Sequence, residues 1–115
     1  MLRQILIYGD YFYEFYYQQD LRTREKIDYI LDLIRNIDQV PAKFLKYIEG
    51  TDGLYEIRII TVNKNIRIIC FFDEERIIVL TNCFIKKTQK LPRNVIDSGN
   101  RLKREYFENK KRNIT

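Results

Sequence analysis

The chain contains no histidine, which closes imidazole chemistry to it: no histidine general base, no histidine metal ligand and no Cys/His array. Its two cysteines, Cys70 and Cys83, lie inside apolar, strand-like runs and not in a CxxC pair. The plain expectation is two buried thiols in a reducing compartment, with no bound metal and no other cofactor. No apolar run approaches the roughly 20 residues that span a bilayer. The N-terminus also lacks the apolar core and small-residue cleavage site of a secretory signal. A soluble cytoplasmic protein, not a membrane protein, is expected. Internal repeats and linker-like stretches are absent as well. With 115 residues, 45% of them hydrophobic, the chain suffices for one domain with a real core and is too short for two.

What is present is charge, unevenly placed. Residues 1–53 hold seven Lys or Arg against nine Asp or Glu, whereas residues 54–115 hold fourteen against seven. The formal charge of +5 therefore belongs to the C-terminal half. A localised basic excess suits a polyanion, because each phosphate neutralised releases condensed counterion, although basic domains without a nucleic-acid role are common.

Hydrophobic periodicity divides the chain. Gln4 to Tyr8 reads as a short strand closed by Gly9-Asp10, and Asp10 is a candidate cap for a helix over the aromatic run Tyr11 to Tyr17. Phe12, Phe15 and Tyr16 fall on one face of that helix, which fits core or partner surface better than base stacking, since Asp10, Glu14 and Asp20 flank it. Ile27, Ile30, Leu31, Ile34 and Ile37 predict an amphipathic helix from Thr23 to Ile37. Pro41 begins a short turn or helix through Ile48, ended by Gly50-Thr51-Asp52-Gly53. Three strands follow, Leu54 to Val62, Asn65 to Phe72 and Arg76 to Ile85, with connections short enough to demand an antiparallel meander. A last helix uses Val95, Ile96, Gly99, Leu102 and Tyr106, and the basic residues beyond Glu108 have nothing to bury. The expectation is an α+β fold: a single domain over residues 1–108 and a mobile basic tail over 109–115.

Strand alternation sends Glu56, Arg58 and Ile60 to one face and Arg67, Ile69 and Phe71 to the same face of the next strand. Arg58 and Arg67 then sit within cross-strand reach, on a face expected to be free of the main helices, as an anion clamp. The strand pattern equally allows Arg58 to pair with Glu56 as a solvated surface ladder. Lys86-Lys87-Thr88-Gln89-Lys90 leaves the third strand close by with three cations and no intervening acid, which favours the phosphate-binding alternative.

The order strand, two helices, meander and C-terminal helix, with Gly53-Leu54-Tyr55-Glu56-Ile57-Arg58, Arg67 and Phe84-Ile85-Lys86-Lys87-Thr88-Gln89-Lys90-Leu91-Pro92, resembles the HigB branch of the RelE/ParE toxin superfamily, including its phage-derived members. The resemblance implies a RelE-like fold and a type II toxin: a metal-independent, ribosome-dependent endoribonuclease of messenger RNA. Such a toxin is a monomer alone and is neutralised in a hetero-oligomer with a helix-turn-helix antitoxin. In that scheme the ribose 2′-hydroxyl attacks the adjacent phosphorus. Arg58 and Arg67 hold the scissile phosphate; Lys87 and Lys90 contact flanking phosphates or assist the leaving oxygen; Lys86, Thr88 and Arg93 bind RNA. Glu56 is on the correct strand face for a base, yet an acid between two guanidinium groups is a poor proton acceptor.

Some relatives use histidine or a C-terminal tyrosine as base, and this chain has no histidine and no tyrosine after Tyr106. Two other functions use the same scaffold: a ParE-like inhibitor of DNA gyrase, and an RNA-binding module without catalysis. For an antitoxin, the aromatic first helix and the outward apolar positions Ile60, Ile69 and Phe71 are the expected docking sites.

Overall fold

The computed structural model describes residues 2–114, without the side chain of Ile114. In chain order the elements are β1 (Gln4–Ile7), α1 (Tyr11–Tyr17), α2 (Leu21–Asn36), β2 (Leu45–Tyr47), β3 (Leu54–Ile60), β4 (Asn65–Asp73), β5 (Ile77–Ile85) and α3 (Arg93–Ile114). They build one five-stranded sheet in the order β1-β5-β4-β3-β2. β1 runs parallel to β5, and the other neighbours are antiparallel. The class is α+β, with the N-terminal strand and two helices, the mostly antiparallel sheet and the C-terminal helix of a RelE-like arrangement.

One face of the sheet is covered by α1 and α2. The spacing that marks α2 in the sequence buries Ile27, Ile30, Leu31 and Ile34, and each such side chain contributes about 1.5–3 kcal/mol relative to exposure. Asp20 starts the helix by accepting a hydrogen bond from the Thr23 amide at 3.0 Å. In α1 only Phe12 is fully buried, with Phe15 and Tyr16 packed beside it. Asp10 occupies the N-cap position of α1 but makes no side-chain capping bond, unlike the expectation from sequence. These helices rest on Ile57, Ile59, Ile66, Ile68, Cys70 and Leu80.

The opposite face is covered at one end by α3, whose Val95, Ile96, Tyr106 and Phe107 pack on Leu54, Ile69, Phe71 and Val79. Gly99 permits the approach, since a Cβ there would lie 2.9 Å from Ile69 Cγ2 and 3.2 Å from Leu54 Cδ1. This corrects the expectation that Ile69 and Phe71 face outward as docking positions: both are 0% exposed. The apolar stripe of α3 needs a partner, and these residues are that partner. Ile60, farther along the face, does remain exposed.

Two further expectations change. The segment from Pro41 does begin with the expected turn, in which the Phe44 amide donates to the Pro41 carbonyl at 2.9 Å, but it continues as a short edge strand, β2, and holds no helix; its Phe44, Leu45 and Ile48 mimic helical spacing. The stretch expected as a mobile tail continues α3 as far as Ile114, while Thr115 lies outside the described residues. Lys110 Nζ reaches both oxygens of Asp73 at 2.9 Å, and Tyr106 donates to the same carboxylate at 2.6 Å. That carboxylate, buried at the end of β4, anchors the helix beyond its apolar contacts at Tyr106 and Phe107.

Candidate functional site

Beyond the reach of α3, the same sheet face carries charge. The register sets Arg58 opposite Arg67, Glu56 opposite both Ile69 and Lys46, and Arg67 opposite Phe84. Alternation brings Lys46, Glu56, Arg58, Asn65 and Arg67 to one side. The Lys86 amide donates to the Asn65 carbonyl at 2.7 Å, which extends the β4–β5 ladder and ties the start of the 86–90 segment to this end of the sheet. Arg58 and Arg67 are therefore cross-strand neighbours, as the alternation predicted. Their face is not free of helices, however; α3 packs on Leu54, Ile69, Phe71 and Val79 of it.

Glu56 organises the pair. Its Oε1 lies 3.4 Å from Arg58 Nε and 3.5 Å from Arg67 Nε. Arg67 donates through Nη1 to Asn65 Oδ1 at 2.6 Å and to the Ile66 carbonyl at 3.2 Å. Burial pulls the Arg67 guanidinium below its ordinary pKa, Glu56 opposes that pull and Arg58 adds to it. The exposures differ sharply: the Arg67 side chain is 2% exposed, Glu56 10% and Arg58 29%. Arg67 thus stands behind Glu56, and Arg58 is the guanidinium that meets solvent. Glu56 Oε2 and the Nε atoms of both arginines are buried without hydrogen-bond partners.

The cationic segment is exposed from Lys87 to Lys90. Its shape comes from two local bonds, Lys86 Nζ to the Gln89 carbonyl and Thr88 Oγ1 to the Lys90 carbonyl, both 2.8 Å. Among the described residues no acid pairs with Lys46, Lys86, Lys87 or Lys90. Arg93 opens α3 and pairs with Asp97 at 3.3 Å, so its charge is partly engaged. Beside the cluster a groove of about 450 Å³ runs between the β3–β4 turn and the end of β5, lined by Ile60, Lys64, Asn65, Ile85, Lys86 and Lys87.

Sequence reasoning missed two members. Lys46 belongs to the edge strand that was expected as a turn, and its cross-strand placement follows only from the β2–β3 register. Asn65, expected simply as a strand start, fixes Arg67. The cysteines supply no nucleophile. Both are free, and burial pushes the Cys83 thiol up to about 12 and Cys70 higher still. Among the described residues no cluster of His, Cys, Asp and Glu could hold a metal, and no helix is long and apolar enough to cross a membrane.

Comparison with known families adds a decisive observation. The model of the phage-derived Gp49-like proteins (DUF891) matches residues 14–104, a span containing every charged residue of the cluster. The chain belongs to the Gp49-like family. That family is associated with RelE- and HigB-like toxins. No curated protein matches the chain. In this Gp49-like protein, then, the sheet face shared by β3 and β4 places a partly exposed arginine toward the end where the basic segment begins.

Proposed function

We propose that this Gp49-like protein is the toxin of a type II toxin-antitoxin pair and acts as a metal-independent endoribonuclease on messenger RNA at the ribosome. The observation that carries the proposal is the cross-strand pairing of Arg58 with Arg67, with the start of the 86–90 segment held to Asn65 two residues before Arg67 on the same strand. Family membership supports the same reading. A helix-turn-helix antitoxin is the proposed partner and messenger RNA the proposed substrate.

In this scheme the ribose 2′-oxygen attacks the adjacent phosphorus, the P–O5′ bond breaks, and the products are a 2′,3′-cyclic phosphate and a 5′-hydroxyl. The 2′-proton leaves as the O2′–P bond forms, and the departing 5′-oxygen takes up a proton. Arg58 binds the scissile phosphate and offsets charge on its equatorial oxygens. Lys87 and Lys90 hold flanking phosphates or the leaving oxygen, with Lys86, Thr88 and Arg93 along the backbone. Arg67 is a positioning residue: through Glu56 and Asn65 it fixes the frame from which Arg58 reaches out. Glu56 is held between the two guanidinium groups and is assigned no proton-transfer role. The rate enhancement rests on orientation and electrostatics, with the ribosome completing the geometry.

A second reading, RNA binding without cleavage, is favoured by one feature: Glu56 already occupies the space between the two guanidinium groups. Mapping of 5′ ends in a translating extract separates the two. New 5′-hydroxyl ends that appear with the protein, and fall about 100-fold in rate with Arg58→Ala, fit the nuclease. Intact messenger that is nevertheless retained by the protein fits the binder.

A further inference from the structure

The side of the molecule away from the cationic cluster carries a groove of about 610 Å³ between α1 and α2, and its lining differs in kind. Tyr13, Tyr17 and Tyr29 border it and are 44%, 68% and 59% exposed, so three aromatic rings face solvent around one groove. Three acids, Glu25, Asp28 and Asp32, line it against one base, Arg35. The floor is rigid. Phe12 stacks on Tyr16 with centroids 5.4 Å apart, and the Tyr16 hydroxyl donates to Asp28 at 2.8 and 2.9 Å from its two oxygens. A preformed surface spares a partner the cost of ordering it. Lys26 Nζ already lies 5.8 Å from the Tyr29 ring centroid, so that ring is placed where it accepts a cation.

We propose that the α1–α2 groove docks a cationic amphipathic segment of a partner protein, with its aliphatic residues on the tyrosine rings and its Lys or Arg residues on Glu25, Asp28 and Asp32. Charge complementarity selects this occupant. The chain as a whole is +5, yet the groove is acidic, so it would repel an acidic helix and nucleic acid alike. Apolar anchors at helical spacing fit a groove between two helices. The proposal is independent of the nuclease reading, since it uses no residue of the cationic cluster.

The test uses the full chain and two labelled synthetic helical peptides of one pattern, leucine on one face and lysine or glutamate on the other, followed by fluorescence anisotropy. Saturable binding of the lysine peptide is expected, weakened at least tenfold by raised salt, by the pair Glu25→Lys and Asp32→Lys, and by the pair Tyr13→Ala and Tyr29→Ala. Circular dichroism and thermal melting check that these surface variants fold. Amide chemical-shift mapping on the unaltered protein provides a second readout, in which perturbations should cluster on α1 and α2. Absence of saturable binding, equal binding of the glutamate peptide, or shifts centred on β3 and β4 would overturn the proposal.

Discussion

The two faces of one sheet have been finished in opposite ways. On the α1–α2 face the apolar residues of both helices meet an apolar sheet surface, and the groove left between them is lined by tyrosines and three carboxylates with one arginine, Arg35. On the other face the apolar contacts of α3 gather at one end, and the other end carries Arg58, Glu56 and Arg67, of which Arg58 alone is appreciably exposed. The contrast teaches that a partial cover can be the functional feature. Where the helix stops, strand alternation still supplies inward-facing positions, and charged side chains there are held by one another instead of by an apolar layer.

The comparison breaks most visibly if Arg67 is removed. Arg67→Ala leaves Glu56 buried beside Arg58 alone, and loss of one partner from a buried ion pair costs about 3–5 kcal/mol. Urea denaturation should show that loss. Arg58→Ala at the exposed edge of the same cluster should change stability by about 1 kcal/mol or less while lowering RNA cleavage about 100-fold. If the two variants exchanged these phenotypes, the division into a positioning and a contacting arginine would be wrong.

A smaller effect sharpens the electrostatic side of the contrast. Lys87→Gln combined with Lys90→Gln should reduce the slope of log binding constant against log salt by roughly 1.4 for single-stranded RNA, at about 0.7 per phosphate contact. Substitution of Tyr13 and Tyr29 on the other face should leave that slope unchanged.

Much of the architecture was legible because its signals were periodic. α2 could be read from Ile27, Ile30, Leu31 and Ile34, and the meander from β-branched runs joined by short turns. The cross-strand meeting of Arg58 and Arg67 followed from parity, and the register supports it. What parity cannot give is cover. The burial of Ile69 and Phe71 depends on where α3 lies. The signal for that was the otherwise unmatched apolar stripe Val95, Ile96, Leu102 and Tyr106. The last turns of α3 were invisible because Lys110 gains its hold through Asp73, a partner 37 residues away that no local pattern indicates. β2, with three residues, is too short for alternation to speak.

That anchor also gives a pH dependence. Burial raises the Asp73 carboxyl, but the hydrogen bonds from Tyr106 and Lys110 outweigh it and hold the group below its usual range. Its contribution is therefore present above the unfolded-state value near 3.9 and is lost as pH falls through the folded-state value. Acid denaturation of Asp73→Asn should lack this component, so the stability gap between native and variant closes at low pH. The smallest effect expected is on the thiols: with Cys70 buried and Cys83 pushed up to about 12, neither should react with a disulfide reagent at pH 8 until the protein unfolds.

The central claim, that one face handles phosphate and the other does not, is tested most directly by titrating the isotope-labelled protein with a short single-stranded RNA and following its amide resonances. Salt-sensitive, saturable shifts at Lys46, Arg58 and residues 86–90, with α1 and α2 silent, are the expected result. Shifts centred on Tyr13, Tyr17 and Tyr29, or no saturable shift at all, would contradict it.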